Sequence, residues 1–133
     1  MDFKKERDRW TEFEGSPNKM HAKVPRVMLS HRGVLRLNKL AYEALNSPAA
    51  VKLLFDEHEM VIGLKAEDVR RANAFPVKLK DQFHNRIIHA RPFCKHFKIR
   101  VERTVLFNEI DIDRDGVMTL PLKQTINIGN RWS

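Results

Sequence analysis

One stretch of this chain can be laid over another without a gap. Leu35 to Glu57 matches Ile87 to Glu109, so that Leu53-Leu54-Phe55-Asp56-Glu57 meets Val105-Leu106-Phe107-Asn108-Glu109 at a spacing of 52 residues. The same spacing sets Lys39 on Arg91 and Leu45 on Phe97. Beyond Glu109 the later copy carries four more residues, because Val61-Ile62-Gly63-Leu64 meets Val117-Met118-Thr119-Leu120 at a spacing of 56, where a longer hairpin turn is expected. A unit this small cannot bury a core alone, so the two copies, residues 24–66 and 75–122, are expected to pack as one pseudo-symmetric domain over 21–122. An N-terminal arm (1–20) precedes it and a tail (123–133) follows.

Charge adds a second asymmetry. The chain of 133 residues has a formal net charge of +8, and its basic side chains are not spread evenly. Residues 1–20 are balanced, 21–77 carry +3, and 104–133 are slightly acidic. Lys78 to Arg103 holds eight basic side chains opposed only by Asp81 and Glu102. Such a block beside a neutral remainder fits a phosphate-backbone footprint; a merely solvated surface is the plain alternative. The apolar runs are a few residues long, too short for a membrane span, and the charged start Met1-Asp2-Phe3-Lys4-Lys5-Glu6 lacks the pattern of a secretory signal. With the single Cys94, these features lead us to expect a soluble cytoplasmic protein.

Local patterns give an α+β, β-rich order of elements. Phe3, Trp10 and Phe13 line one face of a helix expected over 2–14. Val27 and Leu29 point inward on a strand that turns at His31-Arg32-Gly33 into Val34 to Leu37. Asn38 caps a short helix with a Leu40, Ala41, Ala44, Leu45 stripe, which Asn46-Ser47-Pro48 stops. Val51 to Phe55 and Met60 to Leu64 form a hairpin about the polar turn 56–59. Lys65 to Asn73 reads as a short helix or a linker. In the second copy, strands are expected at 75–79, 86–89 and 105–112, a helix at 91–97, and a return strand at 117–122 after the turn Asp113-Arg114-Asp115-Gly116. The tail, 123–133, has no clear period and reads as docked or disordered.

Gly33 to Leu45, followed by Val51 to Phe55 and Val61 to Lys65, resembles the AbrB-type (SpoVT-AbrB, swapped-hairpin) DNA-binding motif: a glycine, an alternating strand, a short helix ending in Leu, then a hairpin. Asn38 stands where that family commonly has Pro. Two such units in one chain resemble the MraZ arrangement. The resemblance implies two swapped-hairpin units closing a pseudo-symmetric barrel, double-stranded DNA as partner, a role as transcription regulator, and a homo-oligomer. Carried over by position, the DNA-binding residues are Arg32 and Lys39, with Arg36 an addition of this sequence, and Arg86 and Arg91 in the second copy. A cation on the polar side of a sheet can reach phosphates or guanine edges.

Other chemistries are weaker. Asp111 to Gly116 opens like a calcium loop, but Leu122 stands where the bidentate Glu belongs, so a hairpin turn is expected. His84, His89, Cys94 and His96 match no common zinc spacing, and Cys94, on a helix whose apolar positions are Phe93 and Phe97, reads as a packing thiol. No phosphate loop, nucleophile elbow or acid pair is present, so neither an enzyme nor a cofactor is expected. A protein-interaction module, antitoxin-like or scaffold, using the basic surface for an acidic partner is the alternative.

Overall fold

The computed structural model describes residues 10–12 and 24–129, so the helix expected over 2–14 falls outside the described residues except for Trp10 to Glu12, which are neither helix nor strand. The described residues form eleven strands, in two antiparallel sheets, and two six-residue helices, a β-rich α+β architecture. The first half contributes β1 (Val27–Leu29), β2 (Val34–Leu37), α1 (Lys39–Ala44), β3 (Ala50–Asp56) and β4 (Val61–Glu67). The second contributes β5 (Phe75–Pro76), β6 (Lys78–Leu79), β7 (Arg86–His89), α2 (Arg91–His96), β8 (Thr104–Phe107), β9 (Asp111–Ile112), β10 (Met118–Pro121) and β11 (Thr125–Gly129).

Local chemistry explains the matching pieces. Leu35 and Leu37 alternate with half-buried Val34 and Arg36, so β2 has one face on the core. Asn38 ends the strand and starts the helix: its side chain accepts from the Ala41 N–H at 2.9 Å, and ties down the incoming chain through Arg26 N–H and the Val24 carbonyl. α2 has no such cap and instead carries Pro92 in its first turn. Both helices end alike. Ser47 N–H donates to Tyr42 and Asn46 N–H to Glu43, as Ile99 N–H donates to Cys94 and Lys98 N–H to Lys95. Asn46 (φ 66°) and Lys98 (φ 55°) are left-handed at this same step, 52 residues apart.

The six-stranded sheet runs β11-β8-β1-β2-β7-β6 and the five-stranded sheet β5-β3-β4-β10-β9. Within the six-stranded sheet β2 and β7 pair antiparallel, with Leu35 opposite Ile88, both fully buried. Each half also lends a strand to the other's first: β8 pairs with β1, and β3 with β5. One buried cluster, including Leu29, Leu37, Ile62, Leu64, Met118 and Leu120, fills the space between the sheets. Phe55 of β3 meets Phe93 of α2 and Phe97 at its C-terminal cap at centroid distances of 6.2 and 5.1 Å, so the halves also interlock through aromatic packing.

Three expectations are corrected. The strands do not close a barrel: β5 and β6 belong to different sheets, and β9 and β11 are free edges among the described residues. The strand expected over 105–112 is broken, because Asn108 N–H turns to the Gln124 carbonyl and holds β8 against β11. β9 then pairs with β10 across the expected Asp113 to Gly116 turn, where Gly116 has φ 80°. β10, matched in sequence to β4, lies against β4 rather than against β8; β11, formed by the tail, pairs with β8 as β4 pairs with β3. Of the two readings of Lys65 to Asn73, a short helix or a linker, no helix forms: β4 runs to Glu67, and Asp68 and Arg71 carbonyls then close successive turns.

Candidate functional site

The β1–β2 turn, α2 and the loop from α2 to β8 enclose a cleft of about 1060 Å³. Ser30 shapes the turn, its hydroxyl accepting from Arg32 and Val34 N–H. Gly33 lets the turn abut the helix: it has φ +81°, and a Cβ there would sit 2.8 Å from Arg91 Cα. The contact is fixed by Ala90 N–H donating to the Gly33 carbonyl at 2.8 Å. Leu29, Cys94 and Ile99 are its buried lining, and burial pushes the Cys94 thiol above its ordinary range, as suits a packing residue.

Around this lining stand Arg32 from the turn, Arg91 and Lys95 from α2, and Lys98 and Arg100 from the following loop, with His31 and Glu102 also present. All five cations are exposed, and among the described residues none is ion-paired. Unpaired cations of one sign on the walls of a recess focus a positive potential into it.

The five residues carried over from the DNA-binding resemblance do not gather in one place. Arg32 and Arg91 meet at this cleft. Arg36 lies on the outer face of β2, its guanidinium 3.7 Å from Asp81. Hydrogen bonds from the Asn85 side chain, then from the Asn85 and Phe83 backbone, hold the Asp81 carboxyl below its usual range, and Arg36 adds to this. Arg86 shares a sheet face with Ile88 and stacks over the Tyr42 ring at 4.3 Å, joining β7 to α1. Lys39 is exposed at the start of α1 and is not part of the cleft.

Lys95, Lys98 and Arg100 were not singled out by sequence, although the basic block from Lys78 to Arg103 contains them. The repeat itself carries the sharper signal. At the spacing of 52 their counterparts are Glu43, Asn46 and Pro48, so the later copy gained cations where the earlier has none.

No protein-family model, no curated protein and no solved structure matches the chain. Among the described residues, no helix is long and apolar enough to cross a membrane, and no three His, Cys, Asp or Glu side chains group to hold a metal ion.

Proposed function

We propose that this chain is a DNA-binding protein of AbrB/MraZ type, acting as a transcription regulator and a homo-oligomer, and that it meets the nucleic acid through the cation-lined cleft. The observation that carries the reading is the convergence of Arg32 with Arg91, Lys95, Lys98 and Arg100 around one recess. Guanidinium and ammonium groups without carboxylate partners lose little on meeting phosphate, and each contact releases condensed counterions. Free edges at β9 and β11, the latter with exposed Ile126 and Ile128, suit self-association.

Salt dependence tests the reading. Retention on duplex or unpaired DNA in low salt should fall linearly on a log–log plot as salt rises, and Arg32→Ala with Arg91→Ala should flatten the slope by about 2 units. Retention of neither polymer at low salt, with binding to an acidic protein instead, replaces this reading with the protein-interaction one.

A further inference from the structure

We propose, building on the homo-oligomer part of that reading, that the outer face of the five-stranded sheet docks a second copy of this chain across a two-fold axis, the acidic end of each face meeting the basic end of the other.

The face is apolar where a solvated one is ordinarily polar. Side chains alternate along a strand, so Ile62 and Met118 fill the core while Leu54, Val61, Val117, Thr119 and Pro121 turn outward around Gly63. Together with Asp56 and Glu59 they line a hollow of about 460 Å³. Leu54 is 40% exposed, and Gly63, its cross-strand neighbour, keeps the floor low. A Cβ at Gly63 would stand 2.9 Å from Val117 Cγ1 and 3.3 Å from Leu54 Cβ.

Charge decides what fits this hollow. Lys52 and Lys65 stand directly opposite each other at one end of the face, an arrangement of like charges that destabilises a sheet, and neither is ion-paired among the described residues. Glu67, next along β4 on that face, accepts from the Asp68 N–H and pairs with neither lysine. Asp56 and Glu59 stand at the other end, with Asp56 roughly 13 Å from Lys52 along β3. Asp56 gives Oδ1 to the His58 and Glu59 N–H groups, which leaves Oδ2 without a partner among the described residues, and Glu59 approaches only His58, at 3.8 Å. A face that is acidic at one end and basic at the other complements itself when turned end over end. With the two-fold axis lying between two such faces and crossing the strands at Leu54, Asp56 of each copy meets Lys52 of the other, Glu59 faces Lys65, and the two Leu54 side chains bury each other. An axis along the strands would set lysine against lysine. No residue of the cation-lined cleft lies on this face, so the dimer keeps both clefts open.

Sedimentation velocity of the full chain between about 10 µM and 1 mM tests this, because a face this small suits a weak dimer. The parent should pass from monomer to dimer over that range. Leu54→Gln, neutral and at an exposed position, should raise the dimer dissociation constant about tenfold, since each substitution counts twice across the axis. Lys65→Glu and Glu59→Lys should each raise it about fivefold, and the two combined in one chain should return it to within about twofold of the parent. Lys78→Glu, on the other sheet, and Ile126→Lys, on the β11 edge, should change nothing. Failure of the combined charge exchange to recover the dimer overturns the two-fold arrangement. A dimer unaffected by Leu54→Gln overturns the face and leaves the homo-oligomer standing, and its loss in Ile126→Lys would place the contact at the β11 edge. A monomer at every concentration overturns the face and the homo-oligomer together, while DNA retention in low salt, read on the same samples, decides the DNA-binding reading separately.

Discussion

The two halves of this molecule share a backbone plan and differ in charge. β2 and β7 are four residues each, α1 and α2 six, and each pair is separated by the same 52 residues, down to the left-handed step that ends the helix. From the helix start to the loop beyond it, the first half offers Lys39 against Glu43, whereas the second offers Arg91, Lys95, Lys98 and Arg100 against Glu102. The turn facing α2 carries His31 and Arg32, and the longer turn between β6 and β7 carries Asp81, already bound to its own backbone and to Arg36. One backbone plan can thus recur in a chain while the exposed cations of its cleft gather mostly on one copy.

The comparison can be broken most severely at the seam where the halves meet. Leu35→Ala and Ile88→Ala each remove a fully buried side chain from paired positions of β2 and β7, and each should cost about 3 kcal/mol in chemical denaturation. If the halves form one cooperative unit, both variants should unfold in a single transition. Two resolved transitions would mean that the halves fold separately.

Next in size is the turn that touches α2. Gly33→Ala combines a positive φ with a Cβ 2.8 Å from Arg91 Cα, and should cost about 2 kcal/mol or more. Gly116→Ala, at nearly the same φ but with open space around it, should cost about 1 kcal/mol. Equal losses would show that Gly33 is kept for its dihedral alone and not for the close approach that builds the cleft.

Arg86 and Arg91, both suggested by the resemblance, should separate by readout. Arg86→Ala removes the guanidinium from Tyr42 and should lower stability by about 1 kcal/mol. Arg91→Ala should leave stability within about 0.5 kcal/mol and weaken nucleic-acid retention.

The smallest effect concerns Asp81. Its folded-state carboxyl titrates below the ordinary range, so its contribution is present above the unfolded pKa of about 4 and is lost as pH falls through the lower folded value. Asp81→Asn keeps an oxygen for the Phe83 N–H but does not titrate. The parent's stability advantage over this variant should therefore shrink as pH drops below about 4. A constant difference across that range would exclude Asp81 as the source.

What the sequence made legible was local. Asn38 caps its helix, Asp113 to Gly116 turns its hairpin, and the strands at 34–37 and 86–89 lie where alternation put them, because each rests on chemistry within a few residues. Pairing across the chain was not legible. Val105 to Ile112 carries no turn residue such as Gly or Pro that would break it, and the tail, arriving as β11, takes the Asn108 N–H where the strand ends. The similarity of Val117–Leu120 to Val61–Leu64 reflects two core-facing strands that lie side by side, not equivalent places in the two copies. The site was half legible for the same reason: charge placed the basic block, while only the fold brings Arg32 across to Lys98 and Arg100 and turns Arg86 inward onto Tyr42.

Lys39 and Arg91 open the two helices at equivalent positions, and reversing each charge in turn asks most directly whether one half alone meets nucleic acid. In low-salt anisotropy against a dye-labelled DNA duplex, Arg91→Glu should lose about tenfold or more in affinity and Lys39→Glu no more than about twofold. Equal losses, or a larger loss in Lys39→Glu, would contradict a one-sided binding surface.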